Sequence, residues 1–587
     1  MVDAVTTEII RNAFIACAQD MNATLIRSAY TPIIYEGKDC AVALLDENGD
    51  VLGQSLGIPL FLGNLEICVK LAMEQLGREA FQQGDLFYEN DAYITGTHLN
   101  DATIFGPIYW KDRLVGFCAT RAHWLDVGGK DPGGSMDSRD IYQEGMRWGP
   151  TRIIERGLPR LDLIDLMRRN GRFGSALVGD MNAQVAACRT GEQRFRSVLD
   201  RFGYEAFAEA RDEIFRQSEQ LDREAIFALP DGIYEAEGTL DSNGVEDGAI
   251  QVKVRVQING DEMSIDLAGS APPAGGPINC GFAQTVSACR GAFKLVIQPE
   301  RPVDGGTFRT LTVDAPQNSI FRASEPAPCQ WYFSPLGLLI DLVITALAPV
   351  LPAAVAAAHY GDSMVIYVAG HDPRRDGQPF LSVEPTPGGW GAWNAGDGED
   401  GLINIVNGSF KDLPVEVLEN RYPISIEQYV IRSDTGGPGK HRGGCGVRRV
   451  YRLDVPARVS FWFERSKTPA WGLMGGGQAV GPDVVINPGG PHERHLLKAN
   501  ALPLEAGDIV ELNTGGGGGF GKPFEREPEF VRTDVLDGYV TAKAAADVYG
   551  VVLTVLSAVD KEATLRLREQ RPEPVLPVGG SAARRGR

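Results

Sequence analysis

Apolar residues recur at helical spacing near the start of the chain and then give way to an alternating pattern. Residues 8–27 carry isoleucine, leucine, phenylalanine and methionine at positions that share one helical face, which predicts an amphipathic helix ending before Pro32. From residue 39 apolar and polar positions alternate around a turn at 46–50 that contains Asn-Gly, a dipeptide typical of tight hairpins. The chain is therefore predicted to begin with a helix and a β-hairpin.

A second hairpin and a long helical stretch follow. Two runs rich in Ile, Tyr, Phe and Val, at 103–110 and 113–122, are separated by a two-residue turn. Residues 159–228 carry few helix breakers and are predicted to be helical. Together these elements predict an N-terminal α/β domain.

The predicted secondary structure changes from helix to strand after Pro230. Residues 249–258 alternate apolar and polar side chains, meet an Asn-Gly turn, and return as a second short run. More extended runs lie among glycine- and proline-rich loops, at 447–453, 458–464 and 508–513. Residues 526–555 return to a helical pattern, with two short helices expected to meet near Asp537 and Gly538.

These patterns define the expected architecture. We predict a multidomain α+β protein with an N-terminal α/β domain that carries a metal site, a β-rich middle and a short helical C-terminal segment. The expected bounds are 1–230, 231–525 and 526–570, and the proline-, glycine- and arginine-containing tail at 571–587 is predicted to be disordered.

Composition and charge narrow the class of protein. Hydrophobic residues make up 43% of the 587 residues and charged residues 23%, which is typical of a globular protein. The net charge of −20 argues against a nucleic-acid partner, because neutralising phosphates needs a basic face. No secretory signal is visible, and Asp341, Pro349 and Pro352 interrupt the longest apolar run, so no membrane span is expected. Nine cysteines without a C-x-x-C pair predict reduced thiols and a cytoplasmic location.

Two of the seven histidines lie beside carboxylates in the N-terminal domain. His98 precedes Asp101 by three positions, and His123 precedes Asp126 by the same spacing. A single pair of this kind is more often a surface or core histidine capped by a nearby acid. The paired occurrence on one predicted hairpin favours a shared site.

The register of that hairpin decides whether the two histidines meet. A two-residue turn would place His123 opposite about Asn100, and His98, Asp101 and His123 would then cluster at the open end of the hairpin. Two imidazoles and a carboxylate are suitable ligands for Zn²⁺, Mn²⁺ or Fe²⁺, and the spacing does not select among them. Asp39 would supply a fourth ligand if the first hairpin packs against the second. On sequence alone, an aspartate in this position is more often a charge at the edge of a strand.

Two further features suggest chemistry less directly. Glu144 follows a glycine-rich segment at 128–136 that is flexible enough to wrap a substrate, although a loop carboxylate is usually just solvated. Residues 514–523 contain the G-x-x-x-x-G-K pattern of phosphate-binding loops, but Pro523 replaces the Ser or Thr that would hold Mg²⁺. We expect a close-packed glycine turn there and no nucleotide site.

Several longer motifs, spread over nearly the whole chain, resemble one family. They are Gly-Thr-His-Leu-Asn-Asp at 96–101, Arg-Ala-His-Trp-Leu-Asp-Val-Gly-Gly at 121–129, Gly-Asp-Met-Asn-Ala-Gln at 179–184, Asp-Thr-Gly-Gly-Pro-Gly at 434–439 and Pro-Ala-Trp-Gly at 469–472. On these motifs the chain resembles the hydantoinase B family. That family supplies a subunit of ATP-dependent hydantoinases, 5-oxoprolinase, caprolactamase, and the acetone and acetophenone carboxylases.

The resemblance implies a ligand set and a partner. By similarity, the metal ligands are Asp39, His98, Asp101 and His123, which adds the fourth ligand that local register left open. The family pairs this subunit with a larger hydantoinase A-like subunit that binds ATP and Mg²⁺, most simply as a heterotetramer of two copies of each. Carboxylase complexes of the family often include a small third subunit.

The resemblance also implies a reaction class, an ATP-dependent cyclic amide hydrolase acting on C–N bonds. The partner would phosphorylate the carbonyl oxygen of a small cyclic amide, and this subunit would deliver a metal-activated water, with Asp126 or Glu144 shuttling the proton. One alternative is a ketone carboxylase subunit, in which the ketone's enol and bicarbonate are both phosphorylated and are joined at the metal site. Another is a non-catalytic scaffold for the A-like partner. Chain length favours the hydrolase.

One residue departs from the family pattern. Many members have a second histidine directly after the equivalent of His123, whereas this chain has Trp124. One interpretation is a more apolar, narrower or aromatic-lined pocket around the metal.

Overall fold

The opening helix has a defined start and one buried face. The structure is a computed structural model that describes residues 2–570 and 584–586. Helix α1 (Ala4–Ser28) begins where the Asp3 carboxylate accepts hydrogen bonds from the backbone N–H groups of Val5 and Thr6. Its buried positions recur every three or four residues, at Thr7, Ile10, Phe14, Cys17, Ala18, Met21 and Leu25. The predicted amphipathic helix is confirmed.

The first sheet has seven strands, in the order β2-β1-β5-β4-β3-β6-β7, and each neighbouring pair is antiparallel. Both predicted hairpins, β1–β2 and β4–β5, are confirmed, and β1 pairs with β5 along its whole length. The strands are β1 (Cys40–Asp46), β2 (Val51–Gln54), β3 (Leu86–Glu89), β4 (Asp101–Trp110), β5 (Arg113–His123), β6 (Thr151–Glu155) and β7 (Leu158–Pro159).

A β-bulge changes the register of the β4–β5 hairpin. Next to the turn Trp110 pairs with Arg113, as a two-residue turn requires, but the register shifts between Ile108 and Tyr109. Beyond this bulge every partner moves by one residue, so Asp101 pairs with His123. The predicted pairing of His123 with Asn100 is therefore wrong by one position, because a bulge leaves no clear sequence signal here.

Helices cover both faces of the first sheet. Gln184 of α7 (Gly174–Phe202) donates to Thr120, whereas the neighbouring Arg121 donates to Cys68 of α4 (Leu65–Leu76). Because neighbouring strand residues point to opposite faces, α7 and α4 lie on opposite sides of the sheet. The predicted helical stretch from 159 to 228 is confirmed. The other helices of this region are α2 (Pro32–Tyr35), α3 (Pro59–Leu62), α5 (Ala92–Thr95), α6 (Leu161–Asn170) and α8 (Tyr204–Phe227).

The longest apolar run of the sequence fills the core beside the second sheet. Helix α10 (Phe333–Leu347) packs on two strands of this sheet and on α9 (Phe282–Val296), and all fifteen residues of α10 are buried. The sheet order is β11-β10-β9-β8, with a short strand Arg584–Gly586 beside β8, and the predicted β9–β10 hairpin is confirmed. The strands are β8 (Gly232–Ser242), β9 (Asp247–Asn259), β10 (Glu262–Asp266) and β11 (Leu311–Asp314).

Two more sheets share a separate hydrophobic core, which contains Val368 and Phe461 from one sheet and Tyr451 and Leu512 from the other. Their orders are β13-β12-β16-β19 and β14-β15-β20-β17-β18, and the predicted extended runs after residue 446 are confirmed. The elements are β12 (Val365–Asp372), β13 (Gln378–Pro385), α11 (Val415–Arg421), β14 (Ile424–Ile431), β15 (Val447–Leu453), β16 (Ala457–Trp462), β17 (Asp483–Ile486), β18 (Arg494–Leu496), β19 (Lys498–Leu504) and β20 (Ile509–Asn513).

The glycine run after β20 is a buried, close-packed segment, as expected. Gly517 N–H donates to the Gly444 carbonyl at 2.9 Å, and Gly519 N–H donates to the Gly477 carbonyl at 3.0 Å. A Cβ atom at Gly517 would lie 1.9 Å from the Trp390 carbonyl oxygen, far inside van der Waals contact. Close backbone packing therefore explains the glycines here.

The C-terminal segment forms three short helices, α12 (Pro528–Leu536), α13 (Ala542–Asp547) and α14 (Lys561–Gln570), so the two helices predicted to meet near residue 537 are confirmed. The predicted α+β class with several sheets is also confirmed. The boundaries at 230 and 525 stay predictions, and the tail at 571–587 lies outside the described residues apart from 584–586. Within the described ranges no helix has the length and apolar character of a membrane span.

Candidate metal centre

Three side chains converge where the β4–β5 hairpin opens. His98 lies in the turn before β4, and Asp101 and His123 are opposed residues at the ends of the two strands. His98 Nε2 lies 2.9 Å from Asp101 Oδ1 and 3.1 Å from His123 Nδ1, and 3.2 Å separates His123 Nδ1 from Asp101 Oδ1. All three side chains are buried. The bulge described above brings Asp101 and His123 directly opposite each other.

The contacts of His98 place its Nε2 towards the triad and its Nδ1 towards Gln330. Its Nδ1 lies 3.1 Å from the backbone carbonyl oxygen of Gln330. The side-chain amide nitrogen of Gln330 also lies 3.1 Å from Nδ1. Donation from Nδ1 to the carbonyl, which can only accept, leaves Nε2 as the nitrogen that a cation would bind. Without a cation, Nε2 faces the Asp101 carboxylate, to which it can only donate. A histidine whose outer nitrogen donates to a backbone carbonyl is the usual arrangement of a metal ligand.

Charges within the triad oppose the effect of burial. Burial disfavours a charged His98, but the Asp101 carboxylate raises the pKa of this imidazole. Burial likewise disfavours an ionised Asp101, yet the His98 and His123 imidazoles hold the pKa of this carboxyl well below its usual range. The pKa of His123 is lowered, chiefly by burial. The charges of Asp101 and the imidazoles therefore favour one another inside the buried site, and a divalent cation would compete with protons for the same ligand atoms.

The spacing of these atoms suits a metal ion. Among the described residues, His98, Asp101 and His123 form the group of ligand-type side chains whose atoms lie close enough to share one ion. Donors that each bind an ion at about 2.1 Å and subtend about 90–100° are roughly 3.0–3.2 Å apart, and the observed separations are 2.9–3.2 Å. Two imidazoles and one carboxylate suit Zn²⁺, Mn²⁺ or Fe²⁺ alike.

Asp39 lies immediately before β1, next to His123, whose backbone N–H donates to the Asp39 carbonyl at 3.1 Å. Its Oδ1 is buried and has no hydrogen-bond partner within the described part of the chain. Burial, and then the charge of Asp101, raise the pKa of Asp39 well above its usual value. A buried carboxylate without a donor, beside a second carboxylate, is costly unless a cation neutralises both. Its chemistry therefore fits a fourth ligand, although its oxygens lie outside the close three-atom group.

Two residues that the sequence analysis missed contact the triad from the middle of the chain. Tyr332, directly before α10, donates its hydroxyl to Asp101 Oδ2 at 2.9 Å, and its ring packs edge-on against His98. Gln330 supplies the carbonyl at His98 Nδ1. Both lie more than 200 residues downstream of the ligands in an apolar stretch, and no local motif marks them.

Asp126 does not face the triad. Its two carboxylate oxygens accept from the backbone N–H groups of Gly128 and Gly133 and from the backbone and guanidinium of Arg172, at 2.9–3.1 Å. Arg172 also donates to the Gly129 carbonyl at 2.7 Å. The pair therefore holds the glycine-rich segment in place, and the Gly133 carbonyl in turn accepts from Asn100, which lies between His98 and Asp101.

Glu144 is also separated from the triad. Its buried carboxylate accepts from the Ser138 hydroxyl at 2.6 Å and from the backbone N–H groups of Cys329 and Gln330 at 3.1 and 3.0 Å. Burial raises the pKa of Glu144 to about 7, and these hydrogen bonds work against that rise. Glu144 therefore touches the segment that contacts His98, and the structure does not bring it to the ligands themselves.

Trp124 points away from the metal centre. Its ring is fully buried, stacks on Tyr88 with a centroid separation of 5.1 Å, and donates to Gln184 Oε1 of α7 at 2.8 Å. Because side chains alternate along a strand, the residue after His123 faces the opposite side of the sheet. The interpretation that Trp124 lines the metal pocket is therefore wrong, since it belongs to the core between the sheet and α7.

A cavity of about 200 Å³ lies between the N-terminal region and the β12–β13 hairpin, and Leu125, two residues after His123, lines it. Leu381 lines it and shares a face of that hairpin with Tyr367, because Leu381 pairs with Ala369, two residues along the strand. Burial, followed by the charges of Asp101 and Asp39, raises the pKa of Tyr367. The cavity walls are mixed: Leu125, Phe173 and Phe380 are apolar, whereas Asp372, Arg375 and Arg421 are charged.

Comparison with known proteins identifies the family to which the chain belongs. A family model described as Hydantoinase B/oxoprolinase matches residues 3–523. The chain therefore belongs to the hydantoinase B/oxoprolinase family, and the resemblance inferred from its motifs is confirmed.

Individual relatives cover the chain almost completely. It is 30% identical over 590 residues to the B-type subunit of a putative D-/L-hydantoinase from Pseudomonas sp. (strain NS671), covering 97% of this chain and 98% of that protein. The crystal structure of ATP-dependent caprolactamase from Pseudomonas jessenii matches at a TM-score of 0.87 and 28% identity, covering 97% of this chain and 100% of that one. The nucleotide-free acetone carboxylase structure shares the fold at a TM-score of 0.87 and 20% identity, covering 97% and 83%.

Proposed function

We propose that this chain is the B-type subunit of an ATP-dependent cyclic amide hydrolase, and that His98, Asp101, His123 and Asp39 hold its divalent metal. The observation that carries the proposal is the convergence of three ligand atoms 2.9–3.2 Å apart in a buried site, with His98 already oriented by a backbone carbonyl. Family membership and full-length likeness to a hydantoinase subunit and to caprolactamase support the reaction class.

The proposal divides the reaction between two subunits. An amide carbonyl resists attack, and transfer of a phosphoryl group from ATP to its oxygen makes the carbon electrophilic. Water then adds to that carbon, the C–N bond breaks as the nitrogen takes a proton, and a second water releases the phosphoryl group as phosphate. ATP and Mg²⁺ would be bound by a hydantoinase A-like partner, in a complex with two copies of each subunit. The glycine run at 514–521 supports this division, because its backbone is packed against neighbouring loops, with Gly517 against Trp390.

The chain's own residues would prepare the site for hydrolysis. A divalent cation bound there would polarise an oxygen of the phosphorylated substrate and lower the pKa of water. His123 Nε2 is buried and has no partner among the described residues, so with Nδ1 on the cation it would carry the ring proton and could donate a hydrogen bond to the substrate. Asp126 and Glu144 are both occupied by structural hydrogen bonds, which favours a positioning role over the proton transfer expected from sequence.

The proposal is tested by reconstitution. The chain is co-expressed with the A-like subunit of the same organism, and ATP consumption is measured with 5-oxoproline, hydantoins, caprolactam, and ketones plus bicarbonate. Hydrolysis of a cyclic amide coupled to ATP supports the proposal, and it should be lost in His123→Ala and kept in His495→Ala. His495 is a suitable control because it is exposed and pairs with Asp483 outside the centre.

Other outcomes would replace the proposal. Turnover only with ketone and bicarbonate would make the chain a carboxylase subunit. ATP turnover by this chain alone would contradict the division between subunits, and full activity of His123→Ala would leave the chain a scaffold.

A further inference from the structure

One short segment from the middle of the chain contacts two of the three triad residues from outside. Gln330 accepts from His98 Nδ1 through its backbone carbonyl at 3.1 Å, and two residues later Tyr332 donates to Asp101 Oδ2 at 2.9 Å. Both side chains and the intervening Trp331 are fully buried. We call residues 329–332 the outer segment. The outer segment precedes α10, and the ligands that it contacts lie at the first sheet, more than 200 residues earlier in the chain.

The outer segment is itself held by a carboxylate from the N-terminal region. Glu144 accepts from the backbone N–H groups of Cys329 and Gln330, at 3.1 and 3.0 Å, and from Ser138 at 2.6 Å. These three bonds satisfy a carboxylate that is 1% exposed. Two adjacent backbone N–H groups on one carboxylate restrict how the peptide planes turn, and thereby where the Gln330 carbonyl points.

We propose that Tyr332 is a positioning residue of the metal centre, and that Glu144 fixes the segment that carries it, so that Asp101 presents a single oxygen to the ion. The inference rests on the proposed function, because it takes the triad to be the metal site. It assigns a role to two residues through their contacts with ligands, and neither of them touches the ion.

The two oxygens of Asp101 have different partners, and this difference is the physical reason for expecting Tyr332 to position the carboxylate. Oδ1 faces His98 and His123, whereas Oδ2 faces the Tyr332 hydroxyl. Without that hydroxyl, Oδ2 would be buried with no donor and the carboxylate would be free to turn away from the triad. Loss of an outer hydrogen bond to a metal ligand typically weakens metal binding about 10–100-fold.

The test compares two tyrosines that differ only in what their hydroxyls contact. Tyr332→Phe is paired with Tyr234→Phe, because Tyr234 is equally buried and donates to the Pro230 carbonyl at 2.8 Å, outside the centre. Full-length protein is stripped of metal, and Zn²⁺ and Mn²⁺ affinities are measured by competition with a chelating dye. We expect about 10–100-fold weaker binding in Tyr332→Phe and wild-type affinity in Tyr234→Phe. Equal affinity in all three proteins would overturn the inference.

A second variant keeps the test decisive if Tyr332→Phe folds poorly. In Glu144→Gln an amide NH₂ replaces one acceptor oxygen, so it faces an N–H or hydroxyl donor and loosens the outer segment. Circular dichroism checks the fold, and metal affinity should fall in the same direction as in Tyr332→Phe. Unchanged affinity in a folded Glu144→Gln would remove Glu144 from the account. Absence of metal binding by wild type would overturn both this inference and the proposed function, whereas wild-type binding with unaffected variants would overturn this inference alone.

Discussion

Replacing Asp39 by asparagine should change stability in opposite directions with and without metal. In the metal-free protein Asp39 Oδ1 is buried with no donor among the residues that the structure describes, and its neighbour Asp101 is a second carboxylate. A buried polar atom without a hydrogen-bond partner lowers the free energy of unfolding by about 1–3 kcal/mol. The neutral amide of Asp39→Asn removes the charge that makes this penalty high. The metal-free variant should therefore be more stable than wild type by about 1–2 kcal/mol.

With metal the order should reverse. Free metal at 100 times the Kd stabilises the folded wild type by about 2.7 kcal/mol, because only the folded state binds. If loss of a direct carboxylate ligand weakens binding 100-fold, the same metal concentration stabilises Asp39→Asn by only about 0.4 kcal/mol. The metal-dependent gain should thus shrink by about 2.3 kcal/mol, which exceeds the advantage of the metal-free variant.

The assay is thermal unfolding in a chelator and in a metal buffer, with Asp46→Asn as the matched control. Asp46 ends the strand that Asp39 precedes, is buried, and accepts from the backbone N–H groups of Asn48 and Asp50 through one oxygen that asparagine retains. Its metal-dependent gain should equal that of wild type. A metal-free Asp39→Asn that is less stable than wild type, with an undiminished gain on adding metal, would refute the reasoning and make Asp39 a structural residue.

Four further substitutions test the packing and one buried carboxyl group. Trp124→His should cost about 2–4 kcal/mol through lost stacking and the lost bond to Gln184, and should leave the metal stoichiometry measured by elemental analysis unchanged. Gly517→Ala should abolish soluble expression because its Cβ meets a carbonyl oxygen at 1.9 Å, whereas Gly291→Ala, with open space on α9, should be neutral or stabilising by up to about 1 kcal/mol. Burial raises the pKa of Asp362 to about 8, so its contribution to stability is present at low pH and lost as the pH rises to that value. Relative to Asp362→Asn, the wild type should lose roughly 2–3 kcal/mol between pH 6 and 9 in urea unfolding.

The local elements were predictable because each has its signal within a few residues. Helix α7 ends at Phe202, directly before Gly203, and the Asn-Gly turns mark two hairpins. The cluster of His98, Asp101 and His123 was predictable for the same reason, since all three belong to one hairpin. Its exact pairing was not, because the bulge next to Tyr109 depends on how β5 packs between two neighbours.

Contacts that form only in the tertiary fold could not be predicted from the sequence. Nothing in the apolar stretch before α10 distinguishes Tyr332 from a core tyrosine until that stretch is placed against Asp101. Trp124 shows the converse error, because adjacency to His123 in sequence suggested a shared pocket that strand alternation forbids. Asp126 and Glu144 are polar residues near the site, and most of their hydrogen-bond donors are backbone N–H groups. Those donors cannot be identified from the sequence, because they approach the carboxylates only when the loops fold.

The central claim is that the hairpin triad holds a divalent metal. X-ray diffraction from crystals of the full-length chain, recorded on both sides of the Zn or Mn absorption edge, tests it most directly. The account predicts one anomalous peak at about 2.0–2.3 Å from His98 Nε2, His123 Nδ1 and Asp101 Oδ1, and its loss in crystals of His123→Ala. A peak at other side chains, or metal-replete crystals in which His98 remains hydrogen-bonded to Asp101 with no ion between them, would contradict it.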